Sequence, residues 1–316
     1  MNKMKLAVGV DIGGTNTVFG LVDEKGNCLA QDSIKTSEYS LVNDFVAAIY
    51  KRVNVLISTQ NNVEIIGIGI GAPNGNYYTG TIDFAPNLNW NGIVPLAELF
   101  KECFNVPVFL TNDANAAAMG ERIYGAAKNV KDLVVVTLGT GLGSGFVVNG
   151  KLVYGHDGFA GELGHTIVEK NGRLCGCGRK GCLETYASAT GIVKTAKEFL
   201  ANSSDSLLCD VEEITSKSIA DAAEKGDELA LNIFDFTAEK LGFALANTVA
   251  ITSPSLIVFF GGLAQSGELI IGPTKKYMEL NLLKIFKNKI DIIPSGLNAS
   301  NSAILGASSL VWQNLN

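Results

Sequence analysis

One imidazole and three thiols fall close together between Gly161-Glu162-Leu163-Gly164-His165 and Cys175-Gly176-Cys177-Gly178-Arg179-Lys180-Gly181-Cys182-Leu183-Glu184. Their spacing, His165-x9-Cys175-x-Cys177-x4-Cys182, supplies four soft ligands, the number a tetrahedral zinc ion takes. Four protein ligands close the coordination sphere and leave no position for an activated water, so the task of such a metal is to fix the shape of a loop. The alternative is a cluster of reduced cysteines in a polar surface turn. Four glycines between the ligands and a correctly distanced histidine favour zinc. Two carboxylates, Glu162 and Glu184, flank the loop.

A second chemistry is written in two glycine turns, Asp11-Ile12-Gly13-Gly14-Thr15 and Gly139-Thr140-Gly141. Each offers backbone N–H groups unobstructed by side chains, with a hydroxyl in the turn, and such a nest binds phosphate oxygens without a lysine. Two ordinary hairpins with glycines at positive φ are the plainer alternative. The pairing of the turns, with an acid at the end of the first strand, favours a triphosphate. Asp11 can hold Mg²⁺ through water, because magnesium takes one or two carboxylates alongside substrate phosphates. Gly261-Gly262 follows an apolar strand and either lets an adenine ring lie against backbone or begins a helix. No G-x-x-x-x-G-K-[ST] occurs, and Gly67-Ile-Gly69-Ile-Gly71-Ala72, which satisfies G-x-G-x-x-A, runs into Pro73 without starting a helix.

A proton acceptor is offered by Asn112-Asp113-Ala114-Asn115, directly after a strand and at the start of an alanine-rich helix. Helix capping accounts for one such residue without any function. Two in succession at the carboxyl end of a strand mark the place where α/β proteins bind ligands. The helix N-terminus favours the ionised carboxylate, which keeps Asp113 ready to take a hydroxyl proton during phosphoryl transfer.

These residues need elements to hold them. Strand, glycine turn and strand over Leu6–Asp23 recur from Leu133 to Val148, followed by the hairpin turn Asn149-Gly150, so an internally duplicated α/β fold is expected. Helical spacing covers Ser40–Ser58, Val94–Phe104, Asp113–Tyr124, Ala187–Ala201, Ser218–Glu224, Glu228–Ile251 and Ser302–Trp312. A length of 316 residues exceeds what one core organises, and two lobes are expected: a smaller one from 1–112 plus 300–316, and a larger one from 113–299 carrying the metal loop. A hydrophobic share of 47% against 18% charged residues fits a well-packed soluble protein. No apolar run is long enough to cross a bilayer and no signal peptide is evident, so a cytoplasmic location is expected. The net charge of -6 speaks against nucleic acid as a partner. Of six cysteines, Cys28, Cys103 and Cys209 are expected as buried or partly buried thiols, and His156 as a hydrogen-bonded core histidine.

Asp11-x-Gly-Gly-Thr15, Asn112-Asp113-Ala-Asn115, Gly139-Thr-Gly-x-Gly143, Gly161-Glu-x-Gly-His165, Cys175-x-Cys-Gly-x-x-Gly-Cys-x-Glu184 and Gly261-Gly262 together resemble the ROK family of repressors, open reading frames and sugar kinases, in the manner of its bacterial glucokinases and N-acetylhexosamine kinases. The resemblance runs over nearly the whole chain. It implies a two-lobed, actin-like ATPase fold of ribonuclease-H type with duplicated lobes around a cleft, ATP and Mg²⁺ bound there, and transfer of the γ-phosphoryl group to a hexose, usually at O6. By the same resemblance Asp113 is the general base. Gly71, Asn87, Asn112, Glu162, His165 and Glu184 line the sugar pocket, with His165 serving zinc through one ring nitrogen and sugar through the other. A homodimer is also expected on family grounds. One departure is Asn16, where family members often carry a basic residue. The family's repressors prepend a helix-turn-helix, for which the strand beginning near Leu6 leaves no room, so a kinase is expected over a DNA-binding protein. A sugar-sensing regulator that binds hexose without turnover is the rival reading; a nucleotide-dependent oxidoreductase lacks its dinucleotide helix.

Overall fold

The computed structural model describes residues 3–202, 205–298 and 300–315. The chain runs through β1 (Met4–Ile12), β2 (Asn16–Val22), β3 (Cys28–Lys35), α1 (Val42–Ser58), β4 (Val63–Gly71), β5 (Gly75–Asn76), β6 (Thr81–Asp83), β7 (Ile93–Val94), α2 (Leu96–Phe104), β8 (Val108–Thr111) and α3 (Asp113–Ile123). It continues with β9 (Leu133–Leu138), β10 (Leu142–Val148), β11 (Lys151–Leu152), α4 (Ala189–Leu200), α5 (Ser216–Glu224), α6 (Glu228–Thr252), β12 (Leu256–Phe260), α7 (Glu268–Asn281), β13 (Asp291–Pro294) and α8 (Ser302–Leu315).

Two five-stranded sheets repeat one plan. In the first, of order β3-β2-β1-β4-β8, β1 pairs antiparallel with β2 and parallel with β4, which pairs parallel with β8. In the second, of order β11-β10-β9-β12-β13, β9 pairs antiparallel with β10 and parallel with β12, which pairs parallel with β13. The duplication expected from the repeated strand and glycine-turn pattern is therefore present in the strand order. Asn149 and Gly150 both adopt positive φ, the backbone of the tight turn expected there.

The chain divides into one compact unit of Met1–Asn129, Leu152–Ala160 and Gly296–Asn316, and another of Val130–Lys151 and Gly161–Ser295. Besides a C-terminal boundary at 296 rather than 300, this differs from the expected division in two places. The helix α3 sits with the first unit, because Gly120 lets it approach α8 so closely that an added Cβ would lie 2.8 Å from the Gly306 Cα. The segment Leu152–Ala160 also joins that unit, held by three consecutive residues. Asn76 Nδ2 donates to the Asp157 carbonyl at 2.8 Å, the Tyr77 ring stacks on Tyr154 at 4.1 Å, and the Tyr78 hydroxyl donates to the Gly155 carbonyl at 3.0 Å.

The first core gathers Val8, Val10, Phe19, Ile68 and Ile70 under Phe45, Ile49 and Phe100 of α1 and α2. On the opposite face of β1 and β4, α8 lies against bare backbone: a Cβ on Gly69 would stand 1.9 Å from the Ala307 carbonyl oxygen. The glycine alternation that matched a dinucleotide fingerprint thus serves helix seating. In the second unit Val134, Val136, Ile257 and Phe259 pack with Leu241, Leu245 and Val249 of α6, each such burial being worth about 1.5–3 kcal/mol. Three of its helices start on side-chain caps, Ser188 for α4, Thr215 for α5 and Asp227 for α6.

Other expectations are corrected. The helix expected from Val94 begins at Leu96, because Pro95 at its N-cap is preceded by the strand β7 pairing with β6. His156 is exposed, in the turn whose next carbonyl is held by Asn76, and is not a core histidine. Cys103 and Cys209 are exposed, while Cys28 is partly buried as expected.

Candidate active site

The first unit brings together the carboxylates expected to hold a cation and to accept a proton. Asp11 is the last residue but one of β1 and stands in register with Gly71 at the end of the parallel strand β4. An added Cβ on Gly71 would lie 3.2 Å from Asp11 Oδ1 and 3.7 Å from the Asp113 Cα, so the glycine leaves room between two acids. Burial, and then the charge of Asp113, pushes the Asp11 carboxyl up to about 7. Asp113 is exposed to solvent yet surrounded by enough protein that desolvation raises its carboxyl, against the lowering effect of the Ala114 N–H and its own N–H. Solvent access limits how far that rise can go. Two neighbouring carboxyls that resist joint ionisation fit a divalent cation, which would restore charge to both; magnesium is held by one or two such groups.

The capping explanation for Asn112 holds as well as any ligand role. Its Oδ1 accepts the Asn115 N–H at 2.7 Å, and Asp113 Oδ1 accepts the Ala114 N–H at 2.8 Å. The amide nitrogen is the part of Asn112 left for a ligand, so it would act as a donor. Gly14 packs on the loop bearing Asn87, where an added Cβ would lie 2.5 Å from the Asn87 carbonyl oxygen; Asn87 itself is exposed. Gly13 closes the turn by donating its N–H to the Asn16 carbonyl at 3.0 Å, and Thr15 is exposed beside it. Of the eight first-unit residues singled out from the sequence, Asp11, Gly13, Gly14, Thr15, Gly71 and Asn112 lie at strand ends or in the turns after them, Asn87 lies in the loop between β6 and β7, and Asp113 is the first residue of α3.

In the second unit the four expected metal ligands converge. One ligand atom each from His165, Cys175, Cys177 and Cys182 lies within 4.8 Å of the others. Cys177 and Cys182 sulfurs are 3.7 Å apart, and Cys175 Sγ is 3.7 Å from His165 Nδ1. A tetrahedron with Zn–S bonds of about 2.3 Å has edges of about 3.8 Å between sulfurs, so the donor set fits zinc. Without a cation the thiols cannot all ionise: hydrogen bonding from Arg179 draws Cys177 down to about 6, while burial pushes Cys175 up to about 12. His165 turns Nδ1 to the sulfurs and Nε2 to Glu162 Oε2, 4.0 Å away.

Glycines explain the Gly161-Glu-x-Gly-His165 pattern. Gly161 takes φ +102°, and a Cβ on Gly164 would meet the Leu142 carbonyl oxygen at 2.1 Å. Ser144 of β10 grips the same segment, donating to the Gly161 carbonyl and accepting the Leu163 N–H. Glu184 is anchored at both oxygens: Oε2 accepts the Leu142 N–H at 3.0 Å and Oε1 the Cys175 thiol at 3.7 Å. A metal-bound thiolate has no proton to give, which would leave Oε1 as an acceptor for a ligand.

Gly139-Thr140-Gly141 follows β9, with space around Gly139 where an added Cβ would meet no atom within 4 Å. Gly261 follows β12 at φ +101°, and Gly262 precedes a short 3₁₀ turn over Leu263–Ser266, so the pair does start a helical turn. Gly262 too has open space around it.

Two supporting residues escaped the sequence. Arg173 lies against the Tyr186 ring, donates to the Thr185 and Gly191 carbonyls and Thr195 Oγ1, and forks onto Glu198, pinning the cysteine-bearing loop to α4. Nothing in the spacing marks it, since its partners come from residues 185 to 198. Ser144, inside the glycine-rich strand after the second turn, carried a hydroxyl at a position that invited only a turn reading.

The ROK family model matches residues 7–314. The chain belongs to the ROK family. A glucokinase of Thermotoga maritima is 35% identical over 100% of this chain and 99% of its own length. The crystal structure of a ROK family glucokinase from Streptomyces griseus in complex with glucose and AMPPNP aligns at a TM-score of 0.80 and 34% identity, covering 98% of this chain and 99% of that one. A xylose repressor of Bacillus spizizenii is 30% identical over 98% of this chain and 77% of the repressor. The fold is thus the actin-like ATPase fold of the ROK sugar kinases, as the sequence led us to expect.

Proposed function

We propose that this ROK protein is an ATP-dependent hexose kinase that phosphorylates glucose, at O6. The reading is carried by Asp11 and Asp113 on either side of Gly71. The first carboxylate would help hold a magnesium ion, which would supply charge neutralisation for the phosphates, and the second, at a helix N-terminus, suits the proton of an attacking hydroxyl. Full-length similarity to glucokinases supports the choice of glucose, with N-acetylglucosamine or N-acetylmannosamine as the alternatives within the family.

Asp113 would draw the proton from the hexose hydroxyl as the hydroxyl oxygen attacks the γ-phosphorus, whose bond to the β–γ bridging oxygen breaks and releases ADP. Asn112 Nδ2, Asn87, Glu162, His165 and Glu184 would orient the other hydroxyls, and the turns at Gly13–Thr15 and Gly139–Gly141 with Gly261-Gly262 would seat the nucleotide. Zinc, held by His165, Cys175, Cys177 and Cys182, would supply only a fixed loop shape; positioning and charge neutralisation do the rest. A homodimer is proposed on family grounds, to be checked by light scattering. A cytoplasmic location accords with the absence, among the described residues, of any helix long and apolar enough to cross a membrane.

Kinship with xylose repressors favours one second reading, a sugar-binding regulator without turnover. A coupled ADP-release assay with glucose, N-acetylglucosamine, N-acetylmannosamine and mannose decides between them. Turnover fastest with glucose is expected; no ADP release with any sugar would overturn the kinase reading.

A further inference from the structure

We propose that Thr190, in the first turn of α4, is a positioning residue for the second glycine turn, and that through Thr190 and Glu184 the shape of the metal loop sets the affinity for nucleotide. The inference rests on Gly139-Thr140-Gly141 being a phosphate site.

Three hydrogen bonds fasten that turn, and all come from the stretch just after the last metal ligand. The Ala189 N–H donates to the Gly139 carbonyl at 2.8 Å, Thr190 Oγ1 donates to the Thr140 carbonyl at 2.9 Å, and Glu184 Oε2 accepts the Leu142 N–H at 3.0 Å. In a trans peptide the carbonyl and the following N–H point in opposite directions. Drawing the Gly139 and Thr140 carbonyls towards α4 therefore turns the Thr140 and Gly141 N–H groups the other way, as a nest for phosphate oxygens requires. Gly141 has no side chain where Glu184 needs the space: a Cβ there would stand 2.3 Å from Oε2.

The fastening residues are themselves tied to the metal loop. Ser188 caps α4 by accepting the Gly191 N–H at 3.0 Å, and its hydroxyl donates to the Glu184 carbonyl at 2.7 Å. Thr185 Oγ1 donates to the Cys182 carbonyl at 2.8 Å. A shift of Cys182 is passed towards the turn through these polar links, from the Cys182 carbonyl to Thr185 and from the Glu184 carbonyl to Ser188 at the start of α4.

The test uses the full-length protein, with MgADP and glucose binding read by titration calorimetry, zinc by elemental analysis and folding by circular dichroism. Thr190→Val should weaken MgADP binding about fivefold to tenfold, the worth of one hydrogen bond, with glucose affinity and zinc content unchanged; Thr190→Ser should restore it. Wild-type protein stripped of metal by chelation, with its circular dichroism retained, should lose MgADP affinity and regain it on adding zinc. If stripping unfolds the chain, the Val and Ser pair decides alone. MgADP affinity untouched by Thr190→Val, or retained in folded stripped protein, would overturn the proposal while leaving the kinase reading in place. A wild-type protein that binds glucose but no MgADP would remove the phosphate site itself.

Discussion

Gly71 and Asp11 face each other across two parallel strands, and a single methyl on Gly71 would come within 3.2 Å of the Asp11 carboxylate. That separation is tighter than ordinary contact, and Ala116 Cβ stands equally near on the other side. Gly71→Ala should therefore displace Asp11 or Asp113 while the sheet stays intact. The expected result is a loss of kcat with MgATP of about tenfold or more, the scale of a misplaced reacting group; unchanged kinetics would show that the two acids do not share a site.

Replacing Asp113 by Asn keeps the shape of the helix start, since the Ala114 N–H still finds an amide oxygen. As a general base its loss should lower kcat about 10²–10⁴-fold, with glucose binding retained in calorimetry. Full activity in the variant would move the proton to another acceptor.

The raised carboxyl of Asp11 has two consequences for pH. The folded chain holds a proton on Asp11 up to about 7, where the unfolded chain has released it at the ordinary value of 3.8. Between those values the folded state binds more protons, so this group's contribution makes the metal-free protein lose stability as pH rises through the window. Protons also compete with the cation, so Mg²⁺ affinity should fall as pH drops below about 7. Melting temperatures from pH 5 to 8 for the wild type and Asp11→Asn, with and without Mg²⁺, check both. An identical pH slope in the two proteins would exclude Asp11 as its source.

Two glycines give opposite expectations. At Gly139 an added methyl meets nothing within 4 Å, whereas at Gly164 it would strike the Leu142 carbonyl oxygen at 2.1 Å. Gly139→Ala should leave stability within about 0.5 kcal/mol but raise the KM for ATP, because the methyl would occupy the space where we propose that phosphate binds. Gly164→Ala should cost about 1–3 kcal/mol through overpacking against backbone. Denaturant melts beside ATP titrations separate the two effects; an unchanged KM for ATP in Gly139→Ala would argue against a phosphate at this turn.

Arg173 offers the clearest handle on the metal loop. Its side chain is 12% exposed and satisfied on every side. Arg173→Met should destabilise the protein by about 1.5–3 kcal/mol, the range for hydrogen bonds to charged groups, and speed zinc loss to a chelator. A metal release rate equal to the wild type would show that the loop holds itself.

Much of this was legible in the sequence because it is local. The ligand spacing of Cys175, Cys177 and Cys182, the strand ends at Asp11 and Thr111, and the type of turn at Asn149-Gly150 are each set by a few neighbouring residues, so pattern alone located them. The helix α7 was not anticipated: Gly272-Pro273 interrupts its middle, and tertiary packing of Ile270, Ile271 and Met278 carries it instead. Nor could spacing reveal that α3 sits with α8 or that residues 152–160 sit with the first sheet, since both depend on contacts between distant segments. For Asn112 and Glu184 the sequence marked the residue but not its atoms, because which oxygen is occupied by an internal donor is a property of the fold.

The placement of residues 152–160, clasped by Asn76, Tyr77 and Tyr78, has a bearing on how the molecule can be taken apart. The backbone passes between units at 129/130, 151/152, 160/161 and 295/296. Neither half is a continuous stretch of sequence, so no truncation liberates one intact. A fragment ending at 129 would lack its closing helix, and one spanning 130–295 would trail a severed loop. Whoever wishes to study the second unit in isolation must splice a new linker across that excursion.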